Sequence, residues 1–128
     1  LSMNRWLFAR EMRAGGPKLG DDHVERAYRF LTGPTKRLIL RLYRATDPGN
    51  FAAWQSGLEA LLARKPTLVL WGEKDPFVPA DYAERFPGAR IVRFPDCGHW
   101  FPAEEAEAVA ALLKEFLPLS MPEPEHRT

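Results

Sequence analysis

Residues 68–79 read "LVLWGEKDPFVP". With Thr67 in front, TLVLW is a short continuous apolar run that stops at a glycine and a polar turn. That is how a strand buried on both faces of a parallel sheet reads, so β-strand is expected over 67–71. Residues 80–86, ADYAERF, form a short helix candidate that Pro87, Gly88 and Ala89 break. RIVRF, 90–94, is a second strand, and its two arginines suggest an edge position. After the loop PDCGH, Pro102 sits where a first helical turn tolerates it. Ala106, Val109, Ala110, Leu113, Phe116 and Leu117 then make a core-facing helical stripe.

The order is therefore strand, helix, strand, helix. In such a unit the strands run parallel, and the loops that follow them leave at one carboxyl edge of the sheet, where ligand sites of α/β folds form. Asp75 and His99, 24 positions apart, stand on those two loops. A carboxylate and an imidazole so placed can act as orienter and base. The carboxylate accepts from one ring nitrogen, fixing the tautomer, and the other nitrogen is left to take a proton. Gly98 would let the backbone turn sharply ahead of His99.

Residues 1–64 read differently, as helices. Met3, Trp6, Leu7 and Phe8 fit an amphipathic helix over 3–12 that the run AGGPKLG ends. Asp22 with Glu25 fits a capping box, so a second helix is expected from about Asp22, with Thr32, Gly33 and Pro34 closing it. Leu38, Ile39, Leu42 and Tyr43 mark a third over 35–45, and TDPGN is turn chemistry. Trp54, Leu58, Leu61 and Leu62 mark a fourth over 51–63. The residues after Pro118 are polar and proline-rich and read as a loose tail.

The chain has 128 residues, 45% of them hydrophobic, enough for one packed core. One cysteine, three histidines and a net charge of +1 give no disulfide framework, no metal cluster and no bulk attraction to nucleic acid. The first half holds 11 Lys/Arg against 6 Asp/Glu and the second 7 against 11, which suggests distinct layers. Lys36, Arg37, Arg41 and Arg44 form the solvated face of the third helix rather than a nucleic-acid patch. No window approaches the roughly 18 apolar residues that span a bilayer, and no signal segment opens the chain. A cytoplasmic protein without metal or organic cofactor is expected. His23 and His126 have no ligand spacing. Leu1 is not a methionine and a helical pattern follows it almost at once, so the chain reads as starting in the middle of something.

LVLWGEKDPFVP, followed by GHW and an amphipathic final helix, resembles the α/β-hydrolase superfamily over residues 66–117. The nearest likeness is to its haloalkane dehalogenase, epoxide hydrolase and carbon–carbon hydrolase branch. The fold implied is α/β: a C-terminal portion of an α/β-hydrolase fold (65–118, a parallel β-α-β-α unit), preceded by a helical cap-like segment (1–64) and followed by a flexible tail (119–128). The resemblance makes Asp75 the triad acid and His99 the triad base of a hydrolase acting on a small, largely apolar molecule.

The chain departs from that family in lacking G-x-S-x-G, G-x-D-x-G, G-x-C-x-G and the oxyanion-hole H-G segment. Ser56 lies inside a helical pattern and cannot substitute. The nucleophile is therefore expected upstream of this chain, and the 128 residues alone are expected to be inactive and to self-associate or pair with an upstream segment. The alternative is a truncated, non-catalytic module acting through oligomerisation or a partner. Trp6, Tyr43, Trp54 and Trp100 are candidate substrate-binding residues. Against that role, Trp6 and Trp54 sit at core-like helical spacing, and Trp71 and Trp100 read better as packing. Tyr43 is similar in setting to cap tyrosines that protonate epoxides but also belongs to an apolar stripe. Cys97 is a partly buried bystander, too close to His99 in one loop to attack across the ring.

Overall fold

A computed structural model describes residues 4–51 and 53–117. Met3 and the tail beyond Leu117 lie outside them. The strands form at β1 (Leu68–Gly72) and β2 (Arg90–Phe94). They pair in parallel, in register from Leu68 opposite Arg90 to Gly72 opposite Phe94. Between them Ala80–Arg85 winds as 3-10 helix rather than α-helix. The two arginines of β2 tie the strand to its neighbours: Arg90 donates to Glu115 at 2.7 Å, and Arg93 donates to Glu84 at 2.6 Å and to the carbonyl of Ala80 at 3.1 Å.

The N-terminal half carries α1 (Arg5–Gly15), α2 (Asp21–Phe30), α3 (Gly33–Ala45) and α4 (Trp54–Leu62), with a 3-10 turn at Pro48–Phe51. Asn4 caps α1 by accepting from the Leu7 amide at 2.8 Å. The capping box expected at Asp22 and Glu25 does not form. Gly20 is the N-cap of α2 without a side-chain bond, and Glu25 instead pairs with Arg5 at 2.8 Å. Thr32-Gly33-Pro34 opens α3 rather than only closing α2. Thr32 accepts from the Thr35 amide at 3.4 Å, and Pro34 takes a first-turn position where its missing N–H costs nothing.

The final helix is two pieces. α5 (Phe101–Glu104) and α6 (Ala106–Phe116) are separated by Glu105, whose φ of −132° and ψ of 48° break the helical path.

The single packed core expected from composition is not what forms. Met12, Leu19 and Val24 are buried where α1 meets α2, with Phe8, Ala9 and Ala27 packed around them. Burying three such side chains stabilises by about 1.5–3 kcal/mol each. Val69, Ala83 and Cys97 are buried elsewhere. Among the described residues α3, α4 and α6 bury no residue, and Leu38, Leu42, Trp54, Leu58, Leu61 and Leu113 are exposed. A 3.6-residue period shows which helix face is apolar, whereas what covers that face depends on elements elsewhere. No helix of the described residues is long and apolar enough to cross a membrane.

Candidate active site

The loops after β1 and β2 are joined by their own backbones. The Glu73 amide donates to the Phe94 carbonyl at 3.0 Å and the Lys74 amide to the Cys97 carbonyl at 2.9 Å. The Lys74 ammonium adds an ion pair to Asp96 at 2.8 Å. This brings the carboxylate and the imidazole together: His99 Nδ1 lies 2.8 Å from Asp75 Oδ2. The second oxygen, Oδ1, accepts from the Phe77 amide at 2.8 Å and the Val78 amide at 3.1 Å, a turn that aims the carboxylate across the sheet edge.

The Asp75 side chain is 8% exposed and that of His99 36%. Burial pushes the Asp75 carboxyl up. The hydrogen bonds from His99, Phe77 and Val78, helped by attraction to a charged His99, outweigh it and leave the carboxyl below its ordinary value. An ionised carboxylate only accepts, so the proton of this bond belongs to Nδ1 of His99. In the neutral ring Nε2 then carries the free lone pair.

Phe77 and Trp100 hold the ring edge-on, with centroids 5.2 and 4.9 Å from that of His99 and interplanar angles of 89° and 83°. Both also line an apolar cavity of about 530 Å3, which Phe8, Met12, Ile39 and Tyr43 close from the helical half, with Glu11 and Lys36 as charged lining. A smaller hollow of about 180 Å3 is lined by Asp75 and His99 themselves, with Trp71, Gly72 and Phe101. Tyr43 and Trp100 thus share the apolar cavity beside His99. Trp6 and Trp54 do not reach it: Trp6 lines a groove with Arg13 and Tyr28, and Trp54 a hollow with Phe51 and Leu58. Trp6, Trp54 and Tyr43 are also not core residues, being exposed by 69%, 67% and 77%. The Trp71 indole N–H is buried without a hydrogen-bond partner among the described residues. Cys97 is fully rather than partly buried, and burial pushes its thiol up, away from the reactive thiolate.

Gly98 is required for a different reason from the one its position suggested. Among the described residues only Gly88 has a positive φ. A Cβ on Gly98 would instead stand 2.2 Å from the Gly15 carbonyl oxygen, and one on Gly72 would stand 2.1 Å from the Gly98 oxygen. Three glycines, from the end of α1, the His99 loop and the end of β1, thereby stack backbone on backbone. The Trp100 amide donates to the Gly15 carbonyl at 3.2 Å across the first of these contacts.

Sequence reasoning missed Phe77, although an aromatic directly after Asp-Pro was a signal that it could reach the histidine. It also missed Gly15 and Gly72, for which nothing local gives a signal. The described residues hold no cluster of three or more His, Cys, Asp or Glu able to ligate a metal ion.

The model of the alpha/beta hydrolase family matches residues 2–112. A 2-hydroxy-6-oxononadienedioate/2-hydroxy-6-oxononatrienedioate hydrolase of Cupriavidus pinatubonensis is 39% identical over 77 residues, 57% of this chain and 26% of that protein. The dihydrolipoyllysine-residue acetyltransferase component of an acetoin cleaving system of Pseudomonas putida is 38% identical over 60 residues, 47% of this chain and 16% of that one. The solved structure of CarC, a serine hydrolase involved in carbazole degradation, superposes with a TM-score of 0.63 at 26% identity, covering 91% of this chain and 49% of that one. The chain thus spans about a quarter or less of these curated relatives and about half of the solved one. With the parallel β1–β2 pair, the strand-end Asp75 and His99 and a family match over most of its length, the chain belongs to the alpha/beta hydrolase family, of whose fold it forms a part.

Proposed function

We propose that the chain supplies the helical wall and the acid–base pair of a hydrolase that cleaves a small, largely apolar organic molecule. The nucleophile in this reading comes from polypeptide outside these 128 residues, since the chain carries no strand–turn–helix motif of the G-x-S-x-G type. His99 is the base and Asp75 its orienter. Nε2 of His99 takes the proton from a serine hydroxyl as its oxygen attacks, then returns it to the leaving group; with a carboxylate nucleophile it would take the proton of the water that hydrolyses the ester intermediate. Asp75 stays ionised throughout and stabilises the imidazolium. The apolar cavity beside Phe77 and Trp100 receives the body of the substrate, with Tyr43 on its far wall. The observation that carries the reading is the 2.8 Å bond from His99 Nδ1 to a carboxylate whose other oxygen is held by two amides.

The hydrolases among the relatives favour a serine nucleophile and carbon–carbon bond cleavage in an oxo-substituted unsaturated acid over dehalogenation or epoxide opening. The test uses the longest polypeptide expressed from the reading frame that contains this sequence, assayed with such an oxo-substituted unsaturated acid and with an activated aryl ester. His99→Ala is expected to lower kcat by about 10²–10⁴-fold. Parent-like turnover in that variant would overturn the assignment. A second reading, a non-catalytic module that works by association, draws on the exposed apolar faces of α3 and α4. A stable oligomer of the 128-residue chain, with no turnover in any longer product, would favour it.

A further inference from the structure

The His99 loop is held from below by a side chain that no part of the acid–base pair uses. α5 turns back directly after Trp100, with the Phe101 amide on the Gly98 carbonyl at 3.2 Å and the Ala103 amide on the Trp100 carbonyl at 2.8 Å. This return carries the Glu104 carboxylate under the loop. Its Oε2 accepts from the buried Gly98 amide at 2.8 Å, one residue before His99. Its Oε1 accepts from the Lys18 amide at 2.7 Å, 86 positions away, in the turn that follows α1. Next to it Glu105 pairs with the Lys18 ammonium at 2.6 Å. The hydrogen bond raises the Lys18 amine above its ordinary value and holds the Glu105 carboxyl below its own.

We propose that Glu104 is a positioning residue for the base: by bonding the Gly98 and Lys18 amides at once, its carboxylate locks the His99 loop onto the turn after α1 and so fixes Nδ1 toward Asp75. The physical need is specific. Gly98 is buried and presses on the Gly15 carbonyl with no room for a Cβ, and a buried amide without an acceptor is costly. A carboxylate supplies two acceptor oxygens in one plane, one for each amide, and a charge-assisted bond to each. Glutamine keeps the shape but offers a single acceptor oxygen, and its NH2 group would face an amide N–H. The same contact makes the helical half a support of the acid–base loop as well as a cavity wall. The inference rests on the reading of His99 as the base only for its effect on turnover; its effect on the loop stands apart from that.

The test is amide and imidazole hydrogen exchange by NMR on the 128-residue chain, comparing the parent with Glu104→Gln, Glu104→Ala and the neighbouring Glu105→Ala. Both Glu104 variants are expected to speed exchange of the Gly98 amide and of the His99 Nδ1 proton by about tenfold or more, with melting temperature measured in parallel to separate local opening from global loss. Glu105→Ala should leave the Gly98 amide as in the parent. If Glu104→Ala does not fold, Glu104→Gln carries the comparison. Parent-like exchange at Gly98 and His99 in a folded Glu104 variant would overturn the proposal, even where His99→Ala abolishes turnover. In the longer polypeptide, Glu104→Gln should lower kcat by about tenfold with KM little changed. A loss confined to KM would also overturn it. Turnover that survives His99→Ala would instead sink the reading of the base and leave the exchange result standing.

Discussion

Gly98→Ala is the sharpest perturbation of the way the His99 loop is held. The new methyl carbon would stand 2.2 Å from the Gly15 carbonyl oxygen, 2.9 Å from its carbon and 3.1 Å from Cδ of Pro17. Carbon and oxygen approach comfortably to about 3.3 Å, so the two backbones have to part by about 1 Å. Both sides of the contact are main chain, and no rotamer change can relieve it. Overpacking of this kind costs about 2 kcal/mol, which for a chain of this size lowers Tm by about 8 °C. The parting also draws the Trp100 amide away from the Gly15 carbonyl and tilts the loop that aims His99 at Asp75. Thermal melting by circular dichroism, with the NMR signal of the His99 ring beside it, reads both effects. Gly57→Ala is the internal control, because a Cβ there meets no atom within 4 Å in α4 and should raise stability by about 0.5–1 kcal/mol. A Gly98→Ala chain that melts with the parent and keeps the parent His99 signal would refute the glycine stack as the reason for that residue.

Two other outcomes follow from the charges and the burial. The Asp75 carboxyl lies below its ordinary value when folded, so the unfolded chain takes up its proton first as pH falls. Its contribution is complete at neutral pH and is lost as pH drops through the folded value. The stability gap between the parent and Asp75→Asn, from urea midpoints, should therefore shrink below about pH 4, and a gap that widens there would contradict the direction of the shift. Cys97 is buried with its thiol pushed up. A disulfide reagent should modify it slowly in the native chain and quickly in urea, and equal rates would show that the loop is open.

The strands and the two loops were legible because β1 is an apolar run that ends at glycine and β2 a short run around Ile91 and Val92 that proline follows, signals confined to a few neighbouring residues. The parallel pairing and the meeting of Asp75 with His99 follow from the order of those runs alone. The helices of the first half were legible in position, since Trp54, Leu58 and Leu61 keep a 3.6 period. Their burial was not, because exposure is decided by what packs on a face, and those three side chains remain open. The cap at Thr32 was hidden by a proline that reads equally as the end of one helix and the start of the next. Gly98 showed as important for the wrong reason, because close approach to Gly15 is a contact between residues 83 positions apart and leaves no local trace. Glu104 was not singled out, because what it bonds is decided by the return of α5 under the loop and by a turn 86 positions away.

The claim on which the account turns is that His99 donates through Nδ1 to Asp75 and keeps Nε2 for the reaction. Nitrogen-15 NMR of the histidine rings in the 128-residue chain, above the pH at which they lose their charge, reads that tautomer directly, with the His99 signal assigned by His99→Gln against His23 and His126. The account predicts a proton on Nδ1 and a bare Nε2 in the parent, with the preference lost in Asp75→Ala. A proton on Nε2 in the parent, or a tautomer unchanged by Asp75→Ala, would contradict it.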